Sequence, residues 1–131
     1  MSDYFRSNTA IYLLQYHVIW CPKYRKSLLQ GEVKTRLEQI IGEVCSEHNI
    51  NIKTMEIMPD HVHLFVSADP KMTPYKIVKN IKGRSSNLLR KEFPILMKLS
   101  SLWSGSYFIS SIGNASEETI QRYIENQWTK K

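Results

Sequence analysis

The sequence predicts an α+β domain, in which one antiparallel sheet carries two helices on one face in the order β-α-β-β-α-β, followed by a C-terminal helix. Four segments have the alternation or the β-branched and aromatic content of strands, and two longer segments repeat apolar residues at helical spacing. The second and third strands are separated only by Pro59 and Asp60, which predicts an antiparallel hairpin. The length of 131 residues favours a single domain over 1–131.

The first strand is predicted over residues 11–20, "IYLLQYHVIW", and ends before Pro22 and the basic loop "KYRK". The first helix is predicted over residues 32–48, because its apolar residues recur three and four positions apart. These residues are Val33, Leu37, Ile40, Ile41 and Val44.

Residues 51–58 alternate as the second strand, and residues 61–67 form the third. Thr73 is a suitable N-cap for the second helix, with Pro74 at the first helical position. This helix is predicted to run to about Phe93, where a following proline stops it.

The fourth strand is predicted over residues 102–112, "LWSGSYFISSI", and Asn114 or Ser116 is expected to cap the last helix. The first six elements make the split βαβ, ferredoxin-like arrangement, which is also that of RNA-recognition domains. Its two helices cover one face of the sheet. The other face is expected to be open to a ligand, a partner or the last helix.

The composition favours an intracellular protein with a polyanionic partner. Eighteen Lys and Arg against twelve Asp and Glu give a net charge of +6, which favours nucleic acid, although a merely basic soluble protein is the alternative. Cys21 and Cys45 match no zinc spacing and are expected to be reduced. The sequence has no signal-peptide core and no membrane-spanning apolar run, so a cytoplasmic location is expected.

The third strand, "HVHLFVS", carries two histidines on one face. His61 and His63 lie about 6.6 Å apart along the strand, and both can turn towards one ion. Because Val62, Leu64 and Val66 point into the core, the histidines must occupy the open face. Alone, such a pair is more often polar filler than a ligand set.

The last helix places Tyr123 and Gln127 four residues apart, on one helical face. Tyrosine is a possible nucleophile, and glutamine offers a neutral oxygen ligand, although packing is the commoner role of a tyrosine at this spacing. Two imidazoles and an amide oxygen would leave positions on a divalent ion for phosphate and water.

Two basic regions flank these groups and are predicted to contact phosphates, although a solvated helix face is the alternative. One follows the first strand and the other runs along the second helix, where acidic residues are almost absent. The residues are Lys23, Arg25, Lys26, Lys79, Lys82, Arg84 and Arg90.

His61-Val62-His63 resembles the His–hydrophobic–His motif of the HUH nucleases. "ETIQRYIENQ" resembles the tyrosine helix of their single-tyrosine members, the TnpA-type transposases of the smallest bacterial and archaeal insertion sequences. The blocks "YHVIWCPKYRK", "MPDHVHLFV", "IKGRSSNLLRKEFP" and "LWSGSYFISSIG" resemble that family in order and spacing over nearly the whole chain.

The resemblance implies that Tyr123 attacks the scissile phosphate of single-stranded DNA, becomes joined to the 5′ phosphate and releases a 3′-OH. It implies that His61, His63 and Gln127 hold Mg²⁺ or Mn²⁺. It further implies a homodimer with active sites shared between subunits, acting on hairpins near the element ends. His17 and Asp60 lie near the motif with open roles. His17 could belong to the core or support the site, and Asp60 could orient an imidazole or shape the turn.

Three alternatives stay open beside the transposase. One is a non-catalytic nucleic-acid-binding module, although the aromatic motif of RNA-recognition sheets is absent. A second is a metal-dependent nuclease that uses water, which would not need Tyr123 beside Gln127. A third is a palindrome-processing HUH nuclease of a chromosomal repeat, and the chain ending at Lys131 favours the insertion-sequence type over it.

Overall fold

A computed structural model describes residues 5–6, 11–12, 14–111 and 117–127, with side chains over 14–111 and 121–127. Its elements in chain order are β1 (Phe5–Arg6), β2 (Ile11–Tyr12), β3 (Gln15–Trp20), α1 (Gly31–Glu47), β4 (Asn51–Met58), β5 (His61–Ser67), α2 (Pro74–Glu92), β6 (Phe108–Ser111) and α3 (Glu117–Asn126). Short 3₁₀ turns lie at Lys23–Arg25 and Pro94–Lys98. The predicted α+β class and the order of its main elements are confirmed.

The main sheet is antiparallel and has the strand order β4-β5-β3-β6. The first and third strands of the predicted βαββαβ unit, β3 and β5, are therefore central, as a split βαβ requires. The predicted hairpin is confirmed, with Met58 opposite His61 at its closed end. A short separate pairing of β1 with β2 was not predicted.

The helices α1 and α2 pack together against one face of this sheet. Val62, Leu64 and Val66 of β5 are fully buried there, as their alternation predicted. The start of α2 is also as predicted, because the Thr73 hydroxyl accepts a hydrogen bond from the backbone N–H of Lys76 at 3.2 Å.

Leu64→Ala is expected to lower the free energy of unfolding by about 2–5 kcal/mol, because it leaves a cavity in the middle of the sheet. Urea denaturation would measure the loss. Met58→Ala on the neighbouring strand is a suitable control, since Met58 is 47% exposed. Equal effects of the two substitutions would contradict this description of the core.

The boundaries of two predicted strands are wrong. The strand predicted over residues 11–20 is split into Ile11–Tyr12, which pairs with β1, and Gln15–Trp20, which joins the main sheet. The strand predicted over residues 102–112 contracts to Phe108–Ser111. The proposed caps at Asn114 and Ser116 lie outside the described residues.

The contraction has a physical reason at Trp103. Trp103 bridges to Pro22, and Phe108 pairs with Ile19. Phe108 follows Trp103 by five residues, whereas Pro22 follows Ile19 by only three. The two extra residues form a bulge between Trp103 and β6. The Trp103 indole is anchored in the core, where it donates to the Ser85 hydroxyl at 3.0 Å.

Cys21 and Cys45 are buried free thiols, as expected. Burial raises the pKa of each thiol to about 12, which keeps both protonated and unreactive. Among the described helices, none is long and apolar enough to cross a membrane.

Candidate active site

The two histidines of β5 lie on the sheet face opposite the core, as predicted. His61 is paired with Met58 on one side, and His63 lies between Glu56 of β4 and Ile19 of β3. Both imidazoles are mostly covered, with 20% and 19% of the side chain exposed. This face is therefore partly shielded from water.

Asp60 orients the imidazole of His61. The Nδ1–H of His61 donates to Asp60 Oδ1 at 2.9 Å. In a neutral imidazole this contact leaves the lone pair on Nε2, the arrangement found in metal-binding histidines held by a carboxylate. The contact answers one question left open by the sequence, since Asp60 does more than shape the turn.

His17 of β3 contacts the second histidine. Its Nδ1 lies 3.0 Å from His63 Nε2, so one nitrogen carries the shared proton, and its ring stacks on Phe65 with centroids 4.5 Å apart. Burial lowers the pKa of His63, the nearby His17 lowers it further, and Glu56 acts in the opposite direction. Burial also lowers the pKa of His17. The neutral forms are favoured, and His17 supports the site rather than the core.

Tyr123 of α3 and Gln127, directly after that helix, lie together, as their spacing predicted. The Gln127 amide donates to the Tyr123 carbonyl at 3.2 Å, and only 2% of Gln127 is exposed. The Tyr123 ring packs near Phe108 of β6, with centroids 5.9 Å apart. These contacts place the end of α3 beside the edge strand of the sheet.

The bulge before β6 supplies the hydrogen-bonding partners of this pair. The hydroxyls of Ser104 and Ser106 both donate to Gln127 Oε1 at 3.0 Å, and Ser106 Oγ lies 3.2 Å from the Tyr123 hydroxyl. Burial raises the pKa of Tyr123 to about 12, although the Ser106 contact acts in the opposite direction. The phenol is therefore protonated in this arrangement.

Neither serine was predicted to be part of the site. They lie in a segment that was predicted to be regular strand, where a serine next to an aromatic residue carries no special signal. The only hint was Gly105 between them, since an isolated glycine in a strand pattern often marks a bulge.

Lys82 holds the bulge in place from α2. Its ammonium donates to the carbonyls of Ser104 and Ser106 at 2.7 and 3.3 Å. Burial lowers the pKa of this amine, which is the expected cost of removing a charge from water. In this structure Lys82 is engaged with the chain itself, beside the serines that contact Tyr123 and Gln127.

Lys82→Met is expected to reduce stability by about 1–3 kcal/mol, because it leaves two partly buried carbonyls without their donor. Thermal unfolding would measure this loss. Lys79→Met, one turn earlier and exposed, removes the same charge and is the matched control. Equal stabilities of the two variants would show that Lys82 does not hold the bulge.

Arg25 links the two groups. Its Nε lies 3.0 Å from Asp60 Oδ2, forming an ion pair with the carboxylate that orients His61. Its Nη1 donates to the carbonyl of Ile124, the residue after Tyr123, at 3.2 Å. The histidine pair and the Tyr123–Gln127 pair otherwise make separate sets of contacts.

The other predicted DNA-contact residues have varied surroundings. Arg84 forms two hydrogen bonds with Glu47, at 2.6 and 2.8 Å, so the expectation that this helix lacks acidic partners is wrong there. Arg90 donates to the Leu99 carbonyl at 3.0 Å. Lys79 lies over the Tyr75 ring, Lys23 lies over the Tyr24 ring, and Lys26 is exposed. Their DNA contacts stay predictions.

Within the described part of the chain, no three His, Cys, Asp or Glu side chains are grouped to hold a metal. The predicted ligand set needs a glutamine as its third member, and in this arrangement Gln127 bonds to the two serines. His61 and His63 are therefore brought together on one face, but Gln127 belongs to the other set of contacts.

The fold and site define a small α+β domain with helices on one sheet face and histidines, a tyrosine and a glutamine on or beside the other. A sequence profile described as "Transposase IS200 like" matches residues 10–127. The chain therefore belongs to the IS200-like transposase family, which confirms the resemblance inferred from its motifs.

Named relatives agree with this assignment. The ISDra2 transposase TnpA of Deinococcus radiodurans is 39% identical over 92% of this chain and 89% of its own length. The transposase of insertion sequence IS200 from Salmonella typhimurium is 29% identical over 86% of this chain and 76% of its own length. Membership makes this chain a transposase, an enzyme that processes DNA.

Solved structures agree with the fold. A crystal structure from Deinococcus radiodurans R1, assigned as a transposase, superimposes with a TM-score of 0.87 and 33% identity, covering 94% of this chain and 97% of that one. A REP-associated tyrosine transposase bound to a REP hairpin gives a TM-score of 0.57 at 17% identity, over 95% of this chain and 69% of its own. At that identity the second likeness concerns the fold alone.

Proposed function

We propose that this transposase cuts and rejoins single-stranded DNA at insertion-sequence ends through a covalent 5′-phosphotyrosine intermediate, with Tyr123 as the nucleophile. The observation that carries the proposal is the position of Tyr123. It lies on α3, one turn before Gln127, at the edge of the sheet face that carries His61 and His63.

The covalent step exchanges one phosphate ester for another. The Tyr123 oxygen attacks the scissile phosphorus, the bond from phosphorus to the 3′ oxygen breaks, and the phenol proton is lost as a 3′-OH forms. Because burial raises the pKa of Tyr123 and keeps the phenol protonated, attack requires a group that accepts its proton. Rejoining is the reverse attack by a 3′-OH.

The donor types of the site fit a divalent cation. A neutral imidazole has one nitrogen lone pair, which His61 and His63 could each offer to the ion, and Gln127 has a neutral oxygen. His63 would exchange its contact with His17 for the ion, and Gln127 would exchange its contacts with the serines. Mg²⁺ or Mn²⁺ bound by these three residues would polarise the phosphodiester and stabilise charge on the transferred phosphate.

Single-stranded DNA with hairpin ends is the proposed substrate. The net charge of +6 favours a polyanion, and Lys26 and Lys79 are exposed. The REP-associated tyrosine transposase, which shares the fold, is described as bound to a REP hairpin. A hairpin is therefore the first substrate to test with this protein.

We also propose a homodimer in which α3 of one subunit completes the histidine site of the other. The separate contacts of the histidine pair and of Tyr123 with Gln127 are compatible with such an exchange. Mixing Tyr123→Phe chains with His61→Ala chains is then expected to restore cleavage, since one combined site would be intact. A mixture as inactive as either variant alone would contradict shared sites.

A covalent protein–DNA adduct tests the proposed function. Hairpin-bearing single-stranded DNA and Mn²⁺ are expected to give a denaturation-resistant complex, with the nucleotide mapped to Tyr123 by mass spectrometry. Binding without an adduct would favour the non-catalytic module, and cleavage without an adduct would favour a nuclease that uses water.

A further inference from the structure

We propose that Arg25 is a positioning residue that docks the C-terminal end of α3 against the histidine strand of its own chain. The inference rests on the proposed function of that site and deepens it. It changes the role predicted for Arg25, which was that of a DNA phosphate contact. Its guanidinium contacts both α3 and Asp60, the carboxylate that orients His61.

The first contact is with the histidine strand. Arg25 Nε lies 3.0 Å from Asp60 Oδ2, while Asp60 Oδ1 accepts from His61 Nδ1 at 2.9 Å. The two oxygens of one carboxylate therefore join the guanidinium to the imidazole. Only 16% of the Arg25 side chain and 25% of Asp60 are exposed, so water screens this pair less than a surface ion pair.

The second contact is with α3. Arg25 Nη1 donates to the Ile124 carbonyl at 3.2 Å, and Ile124 is 5% exposed. The same carbonyl accepts from the backbone N–H of Gln127 at 3.1 Å, so Arg25 adds a second donor at the end of the helix. A cation at this end also matches the helix dipole.

The backbone around Arg25 supports a special role. Tyr24 and Arg25 both have positive φ values, 59° and 53°, in the turn at Lys23–Arg25. Non-glycine side chains are strained in this region, and such conformations cluster at functional sites. A basic residue meant only to meet phosphate could sit in an unstrained, exposed loop position, as Lys26 does.

Arginine is suited to this task where lysine is not. Its charge is spread over a planar group, so the Nε side can lie in an ion pair with Asp60 while Nη1 donates to Ile124. Lysine carries one point charge and can meet one of the two partners at a time. Arg25→Lys should therefore keep the charge but not both contacts.

The test uses the full chain without metal or DNA, so it can be decided even if the proposed chemistry fails. Nitrogen-15 NMR of the His61 ring reports its tautomer, and amide exchange by mass spectrometry reports the docking of α3. The variants are Arg25→Gln, Arg25→Lys and Asp60→Asn. Lys34→Gln is the control, since it removes one charge from an exposed position on α1.

Arg25→Gln is expected to speed exchange over residues 117–127 by about tenfold or more, the loss of one hydrogen bond to a charged group. It should also shift His61 away from the Nδ1–H tautomer of the native protein. Asp60→Asn should disturb the tautomer and leave the exchange of α3 nearly native. Arg25→Lys should fail to restore both signals together, and Lys34→Gln should change neither.

Native exchange and a native His61 tautomer in Arg25→Gln would overturn the inference. If the only change were weaker DNA binding, with a salt slope smaller by about 0.7, Arg25 would be a phosphate contact as first predicted. If Arg25→Gln does not fold, the test rests on Arg25→Lys and Asp60→Asn. A native His61 tautomer and native amide exchange of α3 in both of these variants would also overturn the inference. A missing adduct in the native protein would count against the proposed function alone.

Discussion

Tyr123→Phe is expected to abolish the covalent protein–DNA adduct while leaving the affinity for hairpin DNA close to native. The substitution removes one oxygen and keeps the ring that packs near Phe108. Because that oxygen is the only atom that would bond to phosphorus, no remaining group on the ring can replace it. The adduct is measured on a denaturing gel, and the affinity by fluorescence anisotropy.

Stability should change little in Tyr123→Phe, because the hydroxyl makes one 3.2 Å contact, and Ser106 keeps its bond to Gln127. Tyr75→Phe is the matched control, since it removes a hydroxyl from a tyrosine that is 60% exposed on α2. An adduct that persists in Tyr123→Phe at the native rate would mean that another residue is the nucleophile.

The sequence predicts the core of this fold well because local periodicity decides it. In β5, alternation alone separates Val62 and Leu64, which are fully buried, from His61 and His63 on the other face. The Thr73 cap is equally local. Each of these predictions depends on residues within a few positions of one another.

The bulge before β6 could not be predicted in this way, since it depends on how two distant segments pair. Trp103 is fixed by Pro22 and by the Ser85 hydroxyl, while Phe108 is fixed by Ile19. The two extra residues between these anchors follow from tertiary packing. The serine contacts with Tyr123 and Gln127 are consequently invisible to sequence reasoning.

The role of Arg25 shows the same limit for charged residues. In the sequence it is one of several basic residues after the first strand, and its charge predicts phosphate binding. Its two contacts reach Asp60 and Ile124, which lie 35 and 99 positions further along the chain. The residue type gives the charge of Arg25, but its partners are known only from the folded structure.

His61→Ala is expected to remove Mn²⁺ binding and cleavage together. Asp60 holds the imidazole so that Nε2 can face the ion, and alanine leaves at most one of the two histidine ligands. Mn²⁺ affinity is measured by electron paramagnetic resonance of the free ion, and cleavage with a labelled oligonucleotide. His63→Ala should behave in the same way and also free His17 from its contact.

The stability of His61→Ala separates this site from a structural one. His61 lies opposite the core, and Asp60 keeps its ion pair with Arg25, so the loss should stay within about 1 kcal/mol. His48→Ala, at the end of α1, is the control for losing a histidine elsewhere. A large fall in melting temperature would instead make His61 a core residue, and cleavage that resists EDTA would exclude the metal. Loss of activity with native stability is the result that a metal-binding His61 requires.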